Sequence, residues 1–187
     1  MNAETTAFLT RVARDYDALP MDDANPDTLR CYAALCLELV KQFDILRAFV
    51  TVQFTDADPY PDSRSLFEDI ESNRVLRVFT GGEPIAAGHV FGCRALGTSQ
   101  TYNHIFRAVH DGLAHYPGRH GFGPLGELRA FQANARLLSP SATLALATET
   151  LGQNACYNFG ERRGHYAPQK FALLPPLMVA RALMLET

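Results

Sequence analysis

The chain has 187 residues, of which 47% are hydrophobic and 20% charged, a balance ordinary for a globular domain with room for a proper core. A formal net charge of -3 and a pI near 6.0 argue against a dedicated nucleic-acid surface. No apolar run approaches the roughly 18 residues a membrane span needs, and the polar, acidic N-terminus does not read as a secretion signal, so a cytoplasmic protein is expected.

In chain order, residues 5 to 16 read as an amphipathic helix, with Phe8, Val12 and Tyr16 spaced by four. Asn25-Pro26-Asp27 opens a second helix over residues 26 to 48, with Pro26 suited to its first position. Its expected apolar stripe is Leu29, Ala33, Cys36, Leu37, Val40 and Phe43. "FVTVQFT" alternates like a strand. After turn chemistry in "DADPYPDSRS", Asp62 or Ser63 caps the helix "RSLFEDIESN". "RVLRVFT" is a second strand, ended by Gly81-Gly82, and between Pro84 and Ser99 the pattern is weak.

From Thr101 the chain reads as helical. "TYNHIFRAVHDGLAH", "GELRAFQANARLL" and "SPSATLALATETLGQNACYNF" are three helices, the last capped by Ser139 or Ser141. The tail "PQKFALLPPLMVARALMLE" reads as an apolar helix interrupted by Pro175 and Pro176. The expected fold is mainly α with a small β-sheet (α+β). It forms one domain over 1–187, with helices and sheet in 1–100 and a helical half in 101–187. Cys31, Cys36, Cys93 and Cys156 lack a Cys-x-x-Cys pair and read as small hydrophobes. "GERRGH" is the one short basic run, and Glu161 offsets Arg162 or Arg163.

Metal-capable side chains gather in the rear half: His104, His110, Asp111, His115, His120, Glu127 and Glu149. His110 and His115 stand five apart, which on a regular helix is about 140° around the axis. They meet on one ion if the helix gives out just before Pro117 and Gly118. Glu149 sits among leucines, and a buried carboxylate needs a metal or an arginine such as Arg107 or Arg129 as partner.

"HDGLAHYP" resembles the iron-binding signature of the pterin-dependent aromatic amino acid hydroxylases, in which two histidines five apart precede a proline by two positions. "ATETLGQ" is similar to the segment supplying that family's glutamate ligand. The resemblance implies a helical metal-binding core like that family's catalytic core. It also implies a facial triad of His110, His115 and Glu149 suited to Fe(II), with zinc as the alternative metal. It leaves the pterin or other cosubstrate unknown. Residues 55 to 160 also resemble an uncharacterised domain of bacteriophages and mobile elements. That likeness implies a phage context and groups Asn103, Arg107, Glu127, Gln153 and Asn154 into the same site.

A competing set exists, because His104, Asp111 and His115 fall within about 40° on a regular helix. Such a site would resemble the histidine–aspartate phosphohydrolases. Asp111 is either a partner orienting a ligating histidine or a solvated residue. Glu127 is a support for the ligands, an alternative ligand, or a first-turn acid. Arg107 either binds a substrate carboxylate or phosphate or neutralises a glutamate. Gln153 and Tyr157 either line a pocket or pack. His120 and His165 read as loop residues. The expected function is that of a mononuclear non-haem iron oxygenase acting on a small aromatic or nucleobase-like molecule. A metal-dependent hydrolase and a non-catalytic phage accessory protein are the alternatives.

Overall fold

A computed structural model describes residues 1–22, 24–82, 85–161 and 163–186. Arg162 of the "GERRGH" run and Pro84 lie outside the described residues. The fold is mainly helical with one two-stranded sheet. No described helix is long and apolar enough to cross a membrane.

Helix α1 (Ala3–Asp17) starts where the Asn2 side chain accepts from the Thr5 amide, and it buries Phe8, Leu9, Val12 and Tyr16. Helix α2 (Pro26–Arg47) is capped the same way by Asn25, with Pro26 in its first turn. Its buried face is Cys31, Tyr32, Leu35, Cys36, Leu39, Gln42, Phe43 and Leu46. That corrects the expected stripe: Leu29 is 47% exposed and Leu37 53% exposed. The helix carries apolar residues nearly all round, so periodicity alone does not fix which face meets the core.

Strand β1 (Thr51–Thr55) and strand β2 (Val75–Phe79) pair in parallel, Thr51 opposite Val75 through Thr55 opposite Phe79. Parallel neighbours need a crossover, here α3 (Ser63–Asn73), whose N-cap is Asp62. In the stretch of weak pattern the chain makes one 3₁₀ turn (Val90–Gly92), and an isolated bridge joins Arg94 to Thr101.

The rear half holds two long helices, each with a π-helical insert. The first runs as α4 (Tyr102–Val109), a π-turn (His110–His115) and α5 (Tyr116–Gly118). The second runs as α7 (Pro140–Ala147), a π-turn (Thr148–Gly152) and α8 (Gln153–Phe159). Between them lies α6 (Pro124–Ala135), and α9 (Pro176–Met184) closes the chain. Residues 168–175 are not helical, so the tail helix begins only at the second proline. Pro175 lacks an amide hydrogen and pushes its predecessor out of helical geometry.

Helix α2 packs against α7 and α4, α1 against α8, and α6 against the first π-turn. One continuous core joins residues of both halves, including Tyr16, Tyr32, Leu35, Leu76, Ile105, Phe131 and Leu146. Of the cysteines, Cys31, Cys36 and Cys156 are buried as expected, whereas Cys93 is exposed.

Candidate metal centre

The helix carrying the two histidines does not give out before Pro117. It continues through that residue to end at Arg119, in left-handed backbone geometry (φ 52°). What brings the histidines together is the π-turn itself. The Tyr116 amide donates to the Asp111 carbonyl and the His120 amide to the His115 carbonyl, both five residues back. This i→i+5 pattern stacks residues five apart as an α-helix stacks residues four apart. The spacing therefore needs no helix end.

The π-turn is wedged against the front half. A Cβ built on Gly112 would lie 2.5 Å from Leu46 Cδ1 and 3.2 Å from Leu76 Cδ2, so any side chain here would make those two leucines shift. Another close approach sets the facing element. A Cβ on Gly126 would lie 1.9 Å from the Gly121 carbonyl oxygen, so the loop after α5 packs directly under the start of α6. That contact brings Glu127, in the first turn of α6, to the histidines.

His110 Nε2 lies 3.0 Å from His115 Nε2 and 3.3 Å from Glu127 Oε2, and His115 Nε2 lies 3.4 Å from Glu127 Oε1. One ligand atom from each of the three falls within 4.8 Å of the others. The His115 side chain is fully buried, and those of His110 and Glu127 are only 13% and 12% exposed. Phe106 stacks on the His110 ring and Phe122 meets the His115 ring edge-on, which fixes both imidazoles.

The proton positions follow from the partners. The His120 carbonyl lies 2.9 Å from His115 Nδ1 and can only accept, so Nδ1 carries hydrogen. Nε2 then donates to Glu127 when the ring is protonated, and offers a lone pair to a cation when it is neutral. Burial pushes the Glu127 carboxyl up, but hydrogen bonds and charge from His110 and His115 outweigh it and bring it to about 2. Burial pulls His115 down, but the Glu127 hydrogen bond and charge win, and its pKa is raised. An ionised carboxylate and two imidazoles thus converge on a position that calls for positive charge. His110 Nδ1 is buried without a partner among the described residues, so none of them satisfies both of its nitrogens. The donor set fits a divalent cation.

Glu149, expected as the third ligand, lies elsewhere. Its Oε1 accepts from the Tyr32 hydroxyl at 2.5 Å and pairs with His89 Nε2 at 3.1 Å, and its Oε2 accepts from Gln169 at 3.4 Å. His89 Nδ1 accepts from the Phe91 amide, so its proton is on Nε2 and points at the carboxylate. The partners of buried Glu149 are thus a tyrosine, a histidine and a glutamine, with no arginine among the described ones. Gln153 belongs to that network, donating to the Tyr16 hydroxyl at 2.7 Å. Neither Tyr32 nor His89 was singled out from sequence; His89 falls in the stretch without periodicity.

The other named residues divide. Asn154 Nδ2 donates to Glu127 Oε2 at 2.8 Å and holds that carboxylate in place. Asp111 is half-buried beside the cluster, and burial raises its pKa while His110 and His115 pull it down in part. His104 faces the sheet, with Nδ1 2.9 Å from Gln100 Oε1 and its ring against Phe54. The π-turn changes the phase of the helix after residue 109, and the structure brings His110, rather than His104, to His115. Asn103 is buried, with its Oδ1 unpartnered. Tyr157 packs on Tyr166, ring centroids 4.7 Å apart. Arg107 pairs with neither glutamate, and His165 lies exposed in a turn. His120, read as a loop residue, supplies its carbonyl to His115. An open cleft of about 730 Å³ beside β1, lined by Phe43, Phe49, Arg74 and Gln100 among others, contains none of these residues.

Comparison of the chain with protein-family models, with curated proteins and with solved structures finds no match.

Proposed function

We propose that His110, His115 and Glu127 hold a single divalent metal ion and that the protein is a mononuclear metalloenzyme of the two-histidine, one-carboxylate kind, with iron(II) as its metal. The observation that supports this reading is the convergence within 4.8 Å of donor atoms from two histidines on a π-turn and a glutamate on α6, all largely buried. π-bulges are rare and are found frequently at functional sites. Three protein ligands would leave coordination positions for other molecules, and iron(II) held by these residues would supply dioxygen activation for oxidising a small organic substrate.

The protein's own residues set the geometry. His120 fixes the tautomer of His115, so that Nε2 is the ligating atom. Asn154 fixes the Glu127 carboxylate. Phe106 and Phe122 keep the imidazole planes from turning. The near-complete burial of the three side chains keeps bulk water from the ligand atoms.

The test is metal analysis of protein purified without oxygen. One equivalent of iron is expected in the native chain, with losses in His110→Ala and Glu127→Gln and retention in Glu149→Gln. Equal metal in the native chain and His110→Ala removes the proposal. Zinc together with oxygen-independent hydrolysis turns the same site into a hydrolase.

A further inference from the structure

Arg107 stands one helical turn before His110 and Asp111 and ties α4 to the end of β2. Its Nη1 donates to the carbonyl oxygens of Phe79 and Gly81, at 2.8 and 2.6 Å, and its guanidinium sits over the Phe79 ring. Those two bonds use both Nη1 hydrogens. The opposite edge, Nε and Nη2, has no acceptor among the described residues, and no carboxylate among them lies within ion-pair distance. The neighbouring backbone leaves this edge uncovered: a Cβ on Gly82 would lie 3.1 Å from Nη2, and Gly82 has φ +109°.

Arg107 is half-buried, and its Nε and Nη2 are not among the side-chain atoms sealed from solvent without a partner, so three donors stand open to a ligand. The free edge matches the two-oxygen geometry of a carboxylate or phosphate, which a guanidinium grips with two parallel bonds. The His110 amide donates to the Arg107 carbonyl, and residues three apart on a helix are neighbours, so the free edge lies one turn from the His110 cluster.

We infer that Arg107 is the anion-binding group of this site and that the substrate or cosubstrate carries a carboxylate or phosphate gripped by its Nε and Nη2. The inference rests on the metal-centre reading only for where the rest of the bound molecule is directed. Arg107 thereby does two jobs with two edges, one fastening β2 to α4 and the other taking the ligand.

The experiment titrates benzoate, and separately inorganic phosphate, into the full chain while following the amide signals of Gly81 and Gly82. A saturable shift is expected with one of the two anions, and which one identifies the ligand's headgroup. Arg107→Lys keeps the charge and loses the two-pronged grip, so affinity falls at least tenfold; Arg107→Ala abolishes the shift. His110→Ala, which removes a metal ligand, keeps an Arg107-dependent shift, separating this inference from the metal proposal. Absence of a saturable shift with either anion overturns it. So does Arg107→Lys, folded by circular dichroism, binding within twofold of the native chain.

Discussion

His110 and His115 are five residues apart in sequence and 3.0 Å apart at their Nε2 atoms. A regular α-helix would place them about 140° apart around its axis. The convergence depends on one extra residue accommodated in the π-turn between them. Deleting Leu113, half-buried within that turn, should return the segment to α-helical hydrogen bonding with the histidines four apart, about 40° around the axis, so helical circular dichroism and bound metal are both expected to persist. Inserting one alanine after Leu113 sets the histidines six apart, about 120° around a regular helix, and bound metal should fall to background. An insertion variant that keeps native metal stoichiometry would show that the spacing across the π-turn does not set the site.

Asn154 touches neither histidine, yet its amide grips the Glu127 oxygen that faces His110. Groups that orient a ligand in this way are typically worth 10–100-fold in metal affinity. Asn154→Ala should weaken metal binding by that factor, read as the free-metal concentration at half saturation. Asn154→Asp should weaken it further, because it sets a second carboxylate against Glu127. Affinity unchanged in both variants would reduce the contact to packing.

Much of the fold was legible, and the failures have physical causes. Caps at Asn25, Asp62 and Ser139 read directly, because a side-chain oxygen before a helix has few other uses. The α2 stripe was misphased because apolar residues surround that helix, and only contact with α7 selects a face. The histidine pair could be named, but its geometry could not, since a count of 3.6 residues per turn has no place for a π-turn. Glu149 and Glu127 are both helical glutamates, and sequence does not say which lies beside the histidines. That placement is tertiary: Gly126 against Gly121 draws Glu127 in, and Tyr32 with His89 holds Glu149.

The buried Glu149 cluster makes its own test. Tyr32→Phe removes the 2.5 Å donor and leaves the carboxylate with His89 and the more distant Gln169. A buried acceptor left short of a donor costs about 1–3 kcal/mol. Denaturant unfolding should show a loss in that range, with metal stoichiometry unchanged. Loss of metal on this substitution would mean that the two clusters are one functional unit.

The last expectation concerns acid. Asp69 sits between α3 and β2, its side chain only 8% exposed. Burial pushes its carboxyl up, but hydrogen bonds from Asn73 and Tyr60 and the charge and contact of Arg77 outweigh this, leaving the pKa below the ordinary value. A depressed folded-state pKa means that the stabilisation is fully present above the unfolded-state value, about 4, and disappears as pH falls through the folded-state value. Asp69→Asn should therefore lower the melting temperature at pH 7, and its difference from the native chain should shrink steadily below pH 4. Arg77 is 40% exposed, so solvent screening keeps its share of the effect small, and added salt should trim it further. A gap between the two melting curves that stays constant from pH 7 to pH 2.5 would show that Asp69 acts by packing and that its charge contributes nothing.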